Sequence, residues 1–286
     1  MNTAPVLVCG LGLMGGSLAA ALHQAGWPVL LHHRRQEVSA EAARRGWGRQ
    51  VEDLEDGAQE AALAVICTPV STIAAIARRL ASTGSRLVIT DVGSVKAPLC
   101  RELEDLAAAG RFVGSHPMCG SHLQGLAHAR PDLYQAALTA ITPHPHAPEQ
   151  AIAAVERLWR AIGCRCLRLE PQQHDEAVAQ ASHLPHVLAA TTAALLSPQA
   201  LPLAASGFRD TSRVAAAGPA LWRDILCDNR AAVIRALAGA TAHLDILTQA
   251  LADDDRAAVE RWLSAGQDGR TRFEQHQQHI SQQQSD

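Results

Sequence analysis

Short apolar runs separated by longer amphipathic stretches mark the first 170 residues of the chain. The first run is 6–9 (VLVC); 28–33 (PVLLHH), 61–67 (AALAVIC) and 86–91 (RLVITD) follow at the spacing of strands linked by helices. The run at 61–67 has no polar interruption, as expected of a strand covered on both faces. Helices are predicted after the first run, carried by Leu18, Leu22 and Ala25, over the polar stretch 39–60 and over 71–80. A strand leading into a loop is expected from Phe112, and 137–143 and 165–169 read as short strands on either side of a helix at 148–162 closed by Gly163. From His174 the pattern is nearly all helical, at 174–196, 199–216, 219–238 and 240–264. Beyond Gly266 the chain is glutamine-rich and polar, so a frayed tail without function is expected. The pattern predicts an α/β domain over 1–170, with a doubly wound parallel sheet, and an all-α domain over 171–286 that includes the tail.

Glycines 10, 12 and 15 follow the first apolar run as G-x-G-x-x-G, which makes the sheet Rossmann-type if the turn binds a dinucleotide. Gly10 permits the tight turn, Gly12 lets backbone approach a pyrophosphate, and Gly15 lets the next helix pack closely. The helix start, with Leu13 and Met14, offers unpaired N–H groups to phosphate, and Ser17 adds a hydroxyl. The competing reading is a tight turn and nothing more. At the end of the second strand, where an NAD site usually has an acid, stand His33 and Arg34, with no acid before Glu37. An arginine there pairs with a 2′-phosphate, so NADP is expected, with NAD possible, against the alternative of a solvated basic turn. Thr68, Pro69, Asp91, Gly93 and Ser94 fall at the carboxyl ends of strands, where such sheets hold their ligand.

The 286 residues suffice for two cores, and the alanine-rich, aromatic-poor composition suits close-packed helices. A net charge of −3 leaves no footprint for nucleic acid or a membrane surface. The seven cysteines are scattered mostly through apolar runs, so they read as reduced buried thiols. No targeting peptide and no apolar stretch of membrane-spanning length is read, which makes a cytoplasmic protein the expectation.

The segments DVGSVK, GSHPMCGS, SHLPH and GFRDTSR, in that order behind GLGLMGGS, resemble the prephenate/arogenate dehydrogenase family of tyrosine biosynthesis, from about residue 5 to 265. The resemblance implies an NAD(P)-dependent oxidative decarboxylation of arogenate to tyrosine or of prephenate to 4-hydroxyphenylpyruvate, and a homodimer built through the helical half. It assigns His116 to the ring 4-hydroxyl as base, with Ser94 orienting its imidazole. It places His186 and Ser115 at the substrate, Arg213 on a substrate carboxylate, and Asp210 where it can reach the site from the dimer partner. Arg209 competes with Arg213, and an ion pair of Asp210 with either arginine competes with its substrate role. Arogenate is the expected preference, because an acid near the side chain favours its ammonium. His122 stands where several relatives have Glu. His183 and His186 share a helix face but lack a third ligand, and Cys164 and Cys166 are wrongly spaced, so no metal is expected. The rivals are another small-acid dehydrogenase or reductase with the same two halves, and a non-catalytic NADP-binding regulator.

Overall fold

The computed structural model describes residues 4–84, 86–120 and 123–283. The chain forms two compact units, residues 1–230 and 231–286. In the first, β1 (Val6–Cys9), β2 (Val29–His32), β3 (Arg49–Gln50), β4 (Leu63–Ile66) and β5 (Val88–Asp91) make an all-parallel sheet in the order β3-β2-β1-β4-β5. Helices α1 (Leu13–Gln24), α2 (Gln36–Arg44), α3 (Leu54–Glu60) and α4 (Val70–Ala81) link these strands. Alternate residues of β1 feed two cores. Val6 and Val8 pack with Leu18 and Leu22 of α1, while Leu7 and Cys9 pack with Ala58 of α3 and Ile73 and Leu80 of α4. This is the doubly wound α/β arrangement that the alternation predicts. The two-residue β3 escaped the pattern because Arg49 and Gln50 carry no apolar signal.

Beyond β5 come α5 (Ala97–Glu102), α6 (Glu104–Ala108), β6 (Gly114–Pro117), β7 (Leu138–Thr142), α7 (Glu149–Ala161) and β8 (Arg165–Arg168). A second sheet has the order β6-β7-β8, β6 antiparallel and β8 parallel to β7. His116, expected in a loop after a strand, lies within β6 opposite Ala140. The ladder continues through it because Gly114 lets the strands close: a Cβ there would sit 2.5 Å from Thr142 Oγ1.

Helix α8 (Pro171–Val178), a π-helical turn at Ala179–His183 and α9 (Leu184–Ala194) run on without a break. Pro185 explains the π-turn: it has no N–H to donate and its ring crowds the carbonyl four residues back, at Ala181, so the winding widens there. Helices α10 (Ser206–Ser212) and α11 (Pro219–Asp228) complete this part, with a short 3₁₀ segment, Arg213–Ala216, between them.

The second unit consists of the rest of α12 (Arg230–Ala252) and α13 (Arg256–Gln283). The Trp262 indole donates to the His243 carbonyl at 2.8 Å and the two rings stack at 4.8 Å, tying the helices together. Two expectations are corrected here. The polar tail is helical to Gln283, since its Gln, Arg and Glu residues are good helix formers and no proline interrupts them. Helix α12 is long and apolar enough, by length and composition, to cross a membrane, although Arg235, His243 and Asp245 interrupt its apolar run.

Candidate active site

The glycine turn has the sterics of a phosphate cradle. Gly10 has φ +93°, and a Cβ on it would lie 2.7 Å from Thr68 Cγ2; one on Gly15 would lie 1.8 Å from the Gly10 carbonyl oxygen. Around Gly12 a Cβ would meet nothing within 4 Å, so the backbone is open to a ligand at the uncapped start of α1. Leu13 turns its side chain into the core, leaving its backbone for that role, and the Met14 carbonyl accepts from the Tyr134 hydroxyl at 2.9 Å. Ser17 is corrected: fully buried, its hydroxyl accepts from Arg130 N at 2.9 Å and fastens the preceding loop to α1. Gly16, which the motif does not single out, is the seat of that loop, since a Cβ would lie 2.6 Å from Leu126 Cδ1.

At the end of β2, His33 Nδ1 accepts from Arg35 N at 3.0 Å, and Arg35 approaches Glu37 at 3.8 Å. Arg34 is exposed and has no ion pair among the described residues. Thr68 and Pro69 follow β4, both held by the Thr72 hydroxyl, at 2.7 Å to Thr68 Oγ1 and 2.8 Å to the Pro69 carbonyl. Asp91 is corrected as a cofactor contact. Its carboxylate is buried in an ion pair with the equally buried Lys96, and accepts from Gly93 N at 2.8 Å and Ser115 N at 3.1 Å.

That pair anchors β6. Lys96 Nζ also donates to the Ser115 carbonyl at 3.1 Å. Ser115, expected at the substrate, is corrected: its buried hydroxyl donates to the Asp91 carbonyl at 2.6 Å, accepts from the Trp159 indole at 3.1 Å, and lies 2.8 Å from Thr90 Oγ1. Consecutive strand residues point to opposite sides, so with Ser115 inward, His116 faces the other way.

His116 Nδ1 lies 2.9 Å from His174 Nε2, and His174 Nδ1 lies 2.8 Å from Asp175 Oδ1. Ser94 makes no side-chain hydrogen bond among the described residues, so the histidine that holds the His116 ring is His174, which carried no motif. The other ring nitrogen of His116, Nε2, has no protein partner among the described residues. Asn229 donates to the Asp175 carbonyl at 2.8 Å and bonds His183 Nδ1 at 3.2 Å. Trp222 stacks flat on His186 at 3.5 Å and meets His183 edge-on. His186 Nδ1 is buried without a protein partner, a cost that a polar ligand atom would remove.

Burial, with the neighbouring His174, Lys96 and His183, holds His116 well below the ordinary histidine pKa. Burial likewise takes His183 down to about 4 and lowers His186. Each of these shifts favours the neutral ring. The Arg213–Ala216 segment packs on α9, which carries His186. Arg213 is exposed and has no ion pair among the described residues; Asp210 lies 3.4 Å from Arg209 Nε. His122 lies outside the described residues. Among those residues no three histidine, cysteine or acidic side chains gather as metal ligands.

Comparison with known proteins matches residues 18–168 to the prephenate dehydrogenase nucleotide-binding domain and 170–265 to the prephenate dehydrogenase dimerization domain. A cyclohexadienyl dehydrogenase of Zymomonas mobilis is 33% identical over 87% of this chain and 89% of its own. The crystal structure of Synechocystis arogenate dehydrogenase superposes with a TM-score of 0.85 at 29% identity, over 94% of this chain and 99% of that one. That of prephenate dehydrogenase from A. aeolicus, in complex with hydroxyphenyl propionate and NAD+, gives 0.86 at 27% identity over 96% and 99%. The two family domains, matched in succession over 18–168 and 170–265, place this chain in the prephenate dehydrogenase family.

Proposed function

We propose that this chain is a cytoplasmic homodimeric enzyme that oxidatively decarboxylates arogenate, and less well prephenate, with NADP as its preferred cofactor. The observation that carries the reading is His116, a neutral imidazole with one nitrogen held by protein and the other free to meet a substrate hydroxyl. Gly10, Gly12 and Gly15 with the N–H groups of Leu13 and Met14, and Thr68, Pro69 and Gly93 at the strand ends, would hold the dinucleotide. A bound nicotinamide supplies the hydride acceptor. As ring C4 gives up a hydride, the 4-hydroxyl proton passes to His116 Nε2. The ring carboxylate leaves as CO2, and its bonding pair enters the ring, whose aromatisation drives the step. Arg213 meets a substrate carboxylate through its planar fork, and His186 offers its unpaired Nδ1. We propose the substrate domain to be residues 171–286.

Arg34, exposed and without an ion pair among the described residues, with no acid at the end of β2, supports NADP: one charge-assisted contact to a 2′-phosphate contributes about 1.5–3 kcal/mol. NADP is expected to exceed NAD at least about tenfold in kcat/KM, and Arg34→Ala to erase much of the gap. Equal efficiency in the parent enzyme would overturn the assignment.

For the substrate, Asp210 is exposed and only loosely tied to Arg209, so its carboxylate is available to the arogenate ammonium from the partner subunit. Asp210→Asn is expected to lower kcat/KM selectively on arogenate. Parallel losses on both substrates, or a parent that prefers prephenate, would refute this. Turnover of neither substrate would point instead to a reductase of other small acids or imines, or to a binding protein.

A further inference from the structure

Asp175 is a buried carboxylate, 2% exposed, with no lysine or arginine paired to it among the described residues. Lys96, the nearby ammonium, is committed to Asp91 and the Ser115 carbonyl. Asp175 is held instead by N–H groups: its Oδ1 accepts from Lys96 N and its Oδ2 from Ala97 N, both at 2.8 Å. The third contact is His174 Nδ1, 2.8 Å from Oδ1. A carboxylate accepts only, so His174 carries its proton on Nδ1. With that proton on Nδ1, a lone pair at His174 Nε2 would accept from His116 Nδ1–H, 2.9 Å away. Neutral His116 would be left with a bare lone pair at Nε2, the nitrogen with no protein partner among the described residues.

We propose that His174 and Asp175 are positioning residues, a relay that locks His116 in the Nδ1–H tautomer and stabilises the imidazolium formed when Nε2 takes the substrate proton. The inference rests on the reading of His116 as the group that meets the ring hydroxyl. The buried negative charge of Asp175 faces an empty position in the resting charge balance and a filled one once His116 is protonated. Other charged or titratable groups facing the relay are the Lys96–Asp91 pair between β5 and β6 and His183 from the π-turn, whose Nδ1 Asn229 occupies. Among the described residues none of them bonds His116, so the tautomer is set there from the His174 side. The local sequence supports the assignment: His174, Asp175 and Val178 form the buried stripe of α8, so the adjacent His-Asp pair is turned inward by helix geometry.

The test uses the full-length enzyme with nitrogen-15-labelled histidine, so that the tautomer of His116 is read by NMR independently of turnover. The parent is expected to show a protonated Nδ1 and a bare Nε2 at neutral pH. In Asp175→Asn the amide can donate to His174 Nδ1, which reverses the relay and moves the His116 proton to Nε2. A wrong-tautomer imidazole in a serine–histidine–aspartate triad costs about 10⁴-fold in kcat. Here a loss of about 10²-fold or more in kcat is expected, with KM little changed. Asp175 also holds two backbone N–H groups, so a second pair of variants keeps the test independent of folding. His174→Gln retains an acceptor for His116 Nδ1–H and should keep most of kcat, whereas His174→Leu should lose it and flatten the acid limb of the kcat profile. A protonated Nε2 in the parent, or equal losses in Gln and Leu variants, would overturn the relay. Collapse of kcat in His116→Asn with full activity in His174→Leu would overturn the relay alone. Undiminished kcat in His116→Asn would overturn the functional reading beneath it.

Discussion

His116→Asn is expected to lower kcat by about 10²- to 10⁴-fold, the range general acid–base catalysis commonly contributes. Asparagine preserves much of the imidazole's size and polarity but takes up no proton. Its effect should therefore appear in kcat more than in KM, as for a group whose work is done in the transition state. The pH profile follows from the surroundings of the ring. Burial first, with Lys96 and the neighbouring histidines, disfavours the imidazolium, so the folded-state pKa lies well below the ordinary histidine value. A base with a lowered pKa stays competent as the solution is acidified. Activity should hold through pH 6.5 and fall only at lower pH, as the ring protonates, while the asparagine variant should show no such limb. A raised KM with kcat intact would make His116 a binding residue only.

Lys96→Met is expected to cost about 3–5 kcal/mol of stability, measured by urea unfolding, because it leaves the Asp91 carboxylate charged and wholly buried. Asp91 would retain the Gly93 and Ser115 N–H groups but lose its only cation. Asp91→Asn should also destabilise, by stranding the ammonium. The double variant should recover a large part of either loss, since no uncompensated charge remains. Additive losses in the double variant would show that the two groups contribute separately. Activity should fall further than stability alone explains, because Lys96 also ties down the Ser115 carbonyl, next in sequence to His116.

The sheet, its helices and the glycine cradle were legible because each rests on a one-dimensional signal: apolar runs of strand length, and glycines at positions where a Cβ collides or would block a ligand. Orientation was not legible. Ser17, Asp91 and Ser115 lie within the motifs, yet each turns inward to hold backbone, since a place in a motif does not say which way a side chain points. His174 was passed over for a related reason. It belongs to no motif, and its partner His116 is 58 residues away. Trp222 is equally silent in sequence, though it forms the floor under His186. The polar end of α13 was misjudged because the absence of an apolar stripe was weighed above helix propensity.

The π-turn between α8 and α9 has a consequence for how this site tolerates change in chain length. A π-turn accommodates about one residue more than the α-helical winding around it. The residues before it, with His174 and Asp175, and those after it, with His186, therefore follow two helical phases offset by about 100°, one residue of α-helix. A single deletion between 179 and 183 would restore continuous α-winding and a regular hydrogen-bond ladder. It would also swing one histidine set around the axis relative to the other, so that contact with His116 at one end and stacking on Trp222 at the other would no longer hold together. The reading frame of the helix thus fixes the spacing of these histidines, and its least regular turn is where that spacing is stored.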